Sequence, residues 1–336
     1  MTTIKEIASA AGVSVSTASI VLRGESEQRK VAPATAQRVL AAAQQLDYTP
    51  NVSARRLRAP QSSSLVISVF WASFRPGEFR APTLQFLSGV QSVMDTTPHK
   101  CELVIHPFQR GHLADSIDRL SLCHAAIVCN AMPEDIRALE AARLPVPVVL
   151  HSRHSDVLPC VNIDYVEAGQ MVADIFRRHG VKNAVLCASS SPFCGAADCE
   201  DAFFRQVLQA GMGVRRIEVA NNMGGGYDAA QQIARLKERP DGVFFLSDML
   251  ALGALRGFYD EGVAIPGDMK LISIGSYDAD MEEHVIPSLS VVRVPLEEMG
   301  AAAMTKALNL VTGTPEERET RLPLCYVARE SCSAID

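Results

Sequence analysis

The first side chains suited to chemistry are small hydroxyl and aliphatic groups close to the N terminus. Ser14 can cap a helix that begins at the next residue and runs to Leu22. The positions of that helix that would face a core are Ala18, Val21 and Leu22. The opposite face would expose Val15, Ser16, Ser19 and Ile20. Hydroxyl groups can bond base edges or phosphates and aliphatic groups can touch thymine methyls, so this face suits the major groove of DNA. A generic amphipathic helix of a small bundle would show the same pattern.

Two further helices would hold that face in position. Thr3 and Glu6 have the spacing of a capping box, and Gly12 would end the helix that follows. The apolar positions of this first helix are Ile4, Ile7, Ala8 and Ala11. A third helix starts near Pro33 and carries a stripe of Val39, Leu40, Ala43 and Leu46. Two short helices joined by so tight a turn, with a third beside them, predict a helix-turn-helix.

A basic segment follows this unit. Residues 52–58 form a short predicted helix between Pro50 and Pro60, and so short a helix is marginal alone in water. Its arginines suit phosphate or minor-groove contact, and Leu57 is an aliphatic wedge without a core of its own. A basic linker with one stray leucine is the alternative. Arg23, Arg29 and Lys30 could likewise reach phosphates or simply be solvated.

The charge distribution supports a polyanion-binding head. The whole chain of 336 residues has a formal charge of −6. Residues 1–60 carry eight basic and four acidic side chains, hence +4, whereas the remainder carries 24 basic and 34 acidic, hence −10. A basic head on an acidic body suits DNA binding through the head alone.

From Leu65 onward, short apolar runs alternate with helical stretches, which predicts two doubly wound α/β lobes. The runs expected in the first sheet are Leu65–Trp71, Leu103–Ile105, Ala125–Val128 and Val146–Leu150. The runs expected in the second sheet are Cys160–Ile163, Asn183–Cys187, Arg215–Val219, Gly242–Leu246 and Lys270–Ile274. Two facing lobes imply a cleft for a small molecule beyond the carboxyl ends of the strands.

Over almost its whole length the chain resembles the LacI/GalR family of repressors. The N-terminal matches are Thr3-Ile4-Lys5-Glu6-Ile7-Ala8, Ala11-Gly12-Val13-Ser14, Thr17-Ala18-Ser19, Val39-Leu40-Ala41-Ala42-Ala43, Tyr48-Thr49-Pro50-Asn51 and Ala54-Arg55-Arg56-Leu57. The body matches include Ala168-Gly169, Phe244-Phe245-Leu246-Ser247-Asp248, Pro287-Ser288-Leu289 and Arg329-Glu330-Ser331. The resemblance implies a helix-turn-helix domain in residues 1–50, a hinge helix and linker in 51–64, and a periplasmic-binding-protein-like effector domain in 65–336. Its N-lobe is expected near 65–160 and 291–321, and its C-lobe near 161–290 and 322–336.

The same resemblance implies a repressor that binds near-palindromic double-stranded DNA as a homodimer, with a small-molecule effector controlling its affinity. The DNA-binding residues are expected to be Thr3, Ser14, Val15, Ser16, Thr17, Ser19, Ile20, Arg23, Asn51, Ala54, Arg55, Leu57 and Arg58. The dimer interface is expected along residues 84–94, the helix from Leu250 and the segment around Pro287.

The effector pocket departs from that of sugar-responsive relatives. Glu200 stands where those relatives commonly have an arginine, and Ser247 replaces an asparagine. The expected effector contacts are Trp71, Asp164, Phe193, Glu200, Ser247 and Tyr277. Two acids and no cationic fork would favour a neutral or cationic effector over carboxylates and sugar phosphates. The alternative is that Glu200 points to solvent.

The sequence contains little that supports other functions. Gly224-Gly225-Gly226 lacks the lysine and spacing of a nucleotide-binding loop, so a flexible helix entry is expected there. The spacing of Cys187, Cys194 and Cys199 matches no zinc site. No enzyme activity, cofactor or metal is expected. The polar N terminus and the absence of a long apolar run predict a cytoplasmic protein with no membrane contact. A solute-binding or transport-associated protein is the alternative, but it would have no use for the basic head.

Overall fold

The computed structural model of the chain describes residues 4–22, 26, 29, 31–46, 64–73, 81–189, 195–275 and 279–334. By its internal contacts the chain divides into one unit of residues 1–62 and another of residues 63–336. None of the helices in the described ranges is long and apolar enough to cross a membrane.

The first unit is a bundle of three helices: α1 (Ile4–Ala11), α2 (Val15–Leu22) and α3 (Pro33–Gln45). Gly12 adopts φ +62° directly after α1, a left-handed conformation that favours glycine. The hydroxyl of Ser14 accepts a hydrogen bond from the Thr17 amide at 3.1 Å and so caps α2. The predicted turn between the helices and its cap are therefore confirmed.

A small apolar core closes this bundle. Its buried members are Ile7, Ala8, Ala11, Ala18, Val21, Val39, Ala42 and Ala43. The prediction that Leu40 faces the core is wrong, because 54% of its surface is exposed. α3 lies against its neighbours through the alanines at 42 and 43, which places the side chain at position 40 on the outer surface of the helix.

The second unit contains two six-stranded sheets, and the predicted doubly wound α/β class is confirmed. The first sheet has the order β11-β5-β4-β3-β1-β2, and all its pairings are parallel. Its strands are β1 (Leu65–Ser73), β2 (Cys101–Gln109), β3 (Ala125–Cys129), β4 (Val148–His151), β5 (Cys160–Asn162) and β11 (Glu319–Arg321). Its helices are α4 (Ala81–Thr96), a 3₁₀ helix (Leu113–Leu122), α5 (Pro133–Ala141) and α11 (Leu296–Thr312).

The second sheet has the order β12-β10-β9-β8-β6-β7, with only β12 antiparallel. Its strands are β6 (Asn183–Ser189), β7 (Gly213–Val219), β8 (Gly242–Phe245), β9 (Lys270–Gly275), β10 (Ser290–Arg293) and β12 (Cys325–Val327). Its helices are α6 (Tyr165–Arg178), α7 (Ala196–Gln209), α8 (Met223–Ala234), α9 (Asp248–Asp260) and α10 (Ala279–His284).

Both faces of each sheet are covered, which explains why the strands read as continuous apolar runs. Along β1, Ile67 and Val69 face the core beneath α4 and α11, whereas Val66 and Phe70 face the core beside the 3₁₀ helix and α5. The second sheet likewise packs α6 and α7 on one face and α8 and α9 on the other. These two layers fix the carboxyl ends of the strands, where a binding site is expected.

The expected position of one strand is wrong. The run from Cys160 is predicted in the second sheet, but β5 pairs with β4 through Leu150 and Cys160, and with β11 through Cys160 and Glu319. It therefore belongs to the first sheet. Residues 291–293, expected in the N-lobe, instead pair with β9 as part of β10 and belong to the second sheet. A buried apolar run of three or four residues carries no signal for which of two sheets it joins.

Glycines bring α8 and α9 unusually close. A Cβ atom on Gly226 would lie 1.9 Å from the carbonyl oxygen of Leu250, and one on Gly253 would lie 1.9 Å from that of Met223. The triglycine at 224–226 thus lies inside α8, which Asn222 caps by accepting from the Gly225 amide at 2.8 Å. The three glycines lie at the entry of this helix, as expected, but close backbone packing rather than flexibility accounts for Gly225 and Gly226.

A charged cluster is buried in the second lobe. The side chain of Glu282 is fully buried, and both Arg293 and Arg329 donate hydrogen bonds to its carboxylate. Arg329 also donates to the Leu289 carbonyl at 2.7 Å. The cluster joins α10 to the last residue of β10, so it fastens the point where the chain leaves the second sheet. We call these three side chains the Glu282 cluster.

Candidate functional site

The face of α2 opposite the bundle core is partly open to solvent. Val15 is 47% exposed and Ser16 is exposed, while Ser19 and Ile20 are half-buried. Ala18 and Val21 are buried on the opposite side, so the predicted division of the helix into two faces is present. The hydroxyls of Ser14 and Thr17 lie 2.9 Å apart and form the cap, which holds the N-terminal end of this face in a fixed conformation.

The other expected DNA contacts lie outside the described residues. They are Thr3, Arg23, Asn51, Ala54, Arg55, Leu57 and Arg58. Their roles stay predictions. Arg29, the described residue of the connection after α2 with a cationic side chain, is exposed.

In the second unit, the carboxyl ends of three neighbouring strands form one row. Trp71 pairs with Cys129, and Cys129 pairs with His151. The Trp71 ring packs edge-on against Phe86 at a centroid distance of 5.6 Å, and the His151 ring lies 4.4 Å from the same phenyl ring. Only 7% of Trp71 is exposed, so it offers little of its ring to an effector.

The buried His151 is neutral. Burial lowers the pKa of His151 to about 3, and the neighbouring Arg153 guanidinium contributes to that lowering. Its Nδ1 atom has no hydrogen-bond partner among the described residues, and its Nε2 atom lies 3.4 Å from the hydroxyl of Ser152.

Arg153 lies two residues beyond the end of β4 and is half-buried. Its Nε donates to the Ala131 carbonyl, and its Nη1 donates to the Ser152 carbonyl at 2.7 Å. These bonds hold the guanidinium against the loop that follows β3. Burial lowers the pKa of Arg153 to about 10, an effect that Tyr165 opposes and Arg110 increases.

Asp135 fixes the loops around this arginine. Its buried carboxylate accepts from the amides of Gly111 at 3.0 Å, Leu113 at 2.9 Å and Met132 at 2.8 Å. It thereby ties the end of β2 and the start of α5 together, next to the Ala131 carbonyl that Arg153 contacts.

Tyr165, from the second lobe, lies next to Ser152 of the first lobe. It begins α6, and Ser152 of the first lobe forms a hydrogen bond with its side chain. Gly195, at φ +77°, leaves room for the ring, because a Cβ atom there would lie 2.0 Å from Cδ2 of Tyr165. Burial raises the pKa of Tyr165 to about 12, although Arg153 and Ser152 lower it in part, so the phenol is neutral at physiological pH. We call Ser152, Arg153 and Tyr165 the inter-lobe cluster.

Asp164, an expected effector contact, has two roles within the protein. Its Oδ1 atom caps α6 by accepting from the amides of Val166 at 3.0 Å and Glu167 at 3.2 Å. Its Oδ2 atom forms an ion pair with Arg321 of β11 at 3.2 Å, which links the two lobes. Both the helix start and a cation therefore compensate its charge.

Glu200 also has a cationic partner. Arg216 of β7 donates from Nε to its carboxylate at 2.6 Å, and 19% of the Glu200 side chain is exposed. Asp164 and Glu200 thus each pair with an arginine, which removes the basis for expecting a neutral or cationic effector. Ser247 immediately precedes α9 without capping it through its hydroxyl. Phe193 and Tyr277 lie outside the described residues.

Sequence reasoning missed the inter-lobe cluster. Arg153 and Tyr165 lie two and three residues beyond the ends of β4 and β5, near the strand ends where ligands bind in open α/β sheets. That positional rule was the available signal. Comparison with the arginine of sugar-responsive relatives points to position 200 instead.

The described part of the chain lacks a cluster of metal ligands, and most of its thiols are buried. It contains no group of three or more His, Cys, Asp or Glu side chains that could hold a metal ion. Cys187 and Cys199 are buried, and burial raises the pKa of both thiols far above the usual range, so they are poor nucleophiles. Cys194 lies outside the described residues.

Two family models match the chain. Residues 3–51 match the model for bacterial regulatory proteins of the lacI family, and residues 173–332 match a periplasmic-binding-protein-like domain. The chain is 26% identical to catabolite control protein A of Priestia megaterium over 92% of this chain and 93% of that protein. It is 24% identical to the probable HTH-type transcriptional repressor ExuR of Bacillus subtilis over 96% and 95%.

Solved structures give the same picture of the fold. A LacI family transcription regulator from Clostridium acetobutylicum superposes with a TM-score of 0.74 and 25% identity over 79% of this chain and 100% of that one. The lac repressor dimer bound to operator and the anti-inducer ONPF superposes with a TM-score of 0.71 and 20% identity over 99% of both chains.

Proposed function

We propose that this chain, which belongs to the lacI family of bacterial regulatory proteins, is a cytoplasmic repressor that binds a near-palindromic operator as a homodimer. Like its relatives, the protein is a DNA-binding transcriptional regulator. It is not an enzyme. Its partners are operator DNA and a small-molecule effector. The lac repressor structure described above contains both an operator and the anti-inducer ONPF.

The exposed face of α2 is the observation that carries the proposal. Val15, Ser16 and Ile20 read bases in the major groove, while the capped turn at Ser14 positions the helix. Arg23, Arg55 and Arg58 neutralise phosphates, and Leu57 enters the minor groove, as the family resemblance implies. Dimerisation presents two copies of α2 to two symmetric half-sites.

The effector is proposed to bind between the two lobes. The carboxyl ends of β4 and β5 support this position, and Trp71, Asp164 and Ser247 stay predicted contacts of the effector. An effector that contacts both lobes would favour one lobe arrangement over another and so alter the affinity for DNA. Asp164 serves this site through its link to Arg321 rather than as a free acid.

The experiment is selection of operator DNA from a random duplex pool by the full-length protein. The expected product is a near-palindrome of about two helical turns, bound with an affinity that falls steeply between roughly 50 and 200 mM salt. Ser16→Ala should weaken binding, whereas Ser9→Ala, at an exposed position of α1, should not. An asymmetric consensus or salt-independent binding would contradict the proposal.

A further inference from the structure

The guanidinium of Arg153 is half-buried without an acidic partner among the described residues. Its hydrogen bonds go to two backbone carbonyls, those of Ala131 and Ser152. None of the carboxylates in the described ranges forms an ion pair with it. Buried cations are normally paired, because removing a charge from water is costly. Arg153 therefore leaves positive charge available to a ligand.

The nearest acid does not supply the missing partner. Asp135 is close enough to oppose the lowering of the pKa of Arg153, but its two oxygens already accept three backbone amides. The hydrogen bonds of the Asp135 carboxylate go to the backbone, so it does not form a direct bond with the Arg153 guanidinium.

A hydrogen-bonding group from the other lobe lies near this arginine. The phenol of Tyr165 forms a hydrogen bond with Ser152, the residue next to Arg153, and the Arg153 guanidinium is close enough to lower the pKa of Tyr165 in part. Gly195 leaves room for the ring in this position, since a Cβ atom at residue 195 would overlap it. A guanidinium from one lobe and a phenol from the other are two donors suited to one acceptor group.

We propose that Arg153 and Tyr165 together bind an anionic group of the effector, a carboxylate or a phosphate. The inference rests on the proposed function, in that it names the class of ligand bound between the lobes. Arginine is suited to this role because its planar fork matches both kinds of oxyanion. It reverses the ligand preference expected from Glu200, whose charge Arg216 compensates.

The anion would also link the lobes. Arg153 belongs to the first lobe and Tyr165 to the second, and Arg321 with Asp164 already forms one ion pair across the same junction. A bound carboxylate or phosphate adds a second charge-assisted contact between them. Ligand binding would then favour the lobe arrangement in which both donors reach the anion.

The test is calorimetric titration of the full-length protein with inorganic phosphate and, separately, with acetate, at constant ionic strength. At least one of these anions should bind saturably. Arg153→Gln should weaken that binding by about tenfold or more, as expected for loss of a charge-assisted contact. Arg153→Lys should lose less, because it keeps the charge without the fork. Tyr165→Phe should lose a few-fold.

Arg178→Gln is the matched control, because it removes one exposed positive charge at the other end of α6. It should leave anion affinity unchanged. Absence of saturable binding by both anions, or equal affinities in Arg153→Gln and Arg178→Gln, would overturn the proposal. Binding of phosphate would indicate an effector with a phosphate group, and binding of acetate would indicate an effector with a carboxylate.

Operator binding measured on the same preparations separates this inference from the proposed function. If the wild-type protein binds its selected operator but neither anion, the ligand class is wrong and the regulator stands. If it binds an anion through Arg153 but no operator, the proposed function fails instead. Near-native circular dichroism of Arg153→Lys keeps the comparison valid if Arg153→Gln does not fold.

Discussion

Two buried arginine environments in this chain differ in what completes them. In the second lobe, Arg293 and Arg329 both contact the fully buried carboxylate of Glu282. In the first lobe, the hydrogen bonds that Arg153 donates within the described residues go to backbone carbonyls. In the Glu282 cluster, a carboxylate of the protein compensates both arginines. In the inter-lobe cluster, the Arg153 guanidinium forms no ion pair with a carboxylate of the described residues. The first arrangement serves the fold, and the second is suited to a ligand.

The same distinction applies to α2. Ala18 and Val21 are buried in the three-helix core, while Val15 and Ser16 on the opposite face are exposed. Side chains that the protein already uses should affect stability when they are replaced. Side chains left exposed or uncompensated should affect binding.

The largest effect on stability is expected from Glu282→Gln. It leaves two largely buried arginines without a carboxylate, which should lower the free energy of unfolding by about 3–5 kcal/mol. Equilibrium urea unfolding measures this. The adjacent Glu283 is exposed, and Glu283→Gln should stay within about 0.5 kcal/mol of wild type. Equal effects of the two substitutions would contradict the claim that the Glu282 cluster stabilises the fold.

A smaller effect is expected from pH, through His151 beside Arg153. Because burial lowers the pKa of His151 in the folded state to about 3, the unfolded state takes up the proton first as the pH falls below 6.5. Stability from this group is therefore present above pH 6.5 and lost progressively toward pH 3. Between pH 7 and pH 5, the wild type should lose about 2 kcal/mol more than His151→Gln.

Urea unfolding at the two pH values checks this prediction. His99→Gln, at an exposed position, should show the same pH dependence as the wild type. If His151→Gln loses as much stability as the wild type on acidification, the burial of His151 beside Arg153 does not keep its imidazole neutral.

The smallest effect is expected on the exposed face of α2. Ile20→Ala should weaken binding to the selected operator by about 1 kcal/mol or less, through a thymine methyl at one symmetric position. Its free energy of unfolding should change little, because Ile20 is half-buried and lies outside the bundle core. Fluorescence anisotropy with the operator and its base-substituted variants measures the preference. A change in stability larger than that in affinity would place Ile20 with the structural residues.

Much of the fold could be predicted from local patterns. Gly12 and Ser14 have one dominant use at a tight turn between helices, and the structure has them in that use. The apolar runs of both sheets are long enough, and bounded clearly enough, to give most of the strands near their observed positions. Hydrophobic periodicity does not show which strands pair with each other. The short run at Cys160 pairs according to which neighbour the chain brings beside it.

The candidate site was less predictable for the same reason. Glu200 looked like a free acid because nothing in the sequence places Arg216 of β7 next to it. Asp164 likewise gave no sign of its pairing with Arg321, which is 157 residues away along the chain. The role of Arg153 depends on which groups the folded loops bring around it, and no local pattern reports that. Charge compensation is a tertiary property, so sequence spacing alone does not predict it.

Urea unfolding of Arg153→Gln, with and without inorganic phosphate at matched ionic strength, tests most directly whether Arg153 serves a ligand rather than the fold. Without phosphate, the free energy of unfolding should lie within about 1 kcal/mol of wild type, because loss of two hydrogen bonds is offset by removal of an uncompensated cation. Phosphate at about ten times its Kd should stabilise the wild type by about 1.4 kcal/mol and the variant by much less. A loss of several kcal/mol without phosphate, or equal stabilisation of both proteins by it, would show that Arg153 is a structural residue like Arg293.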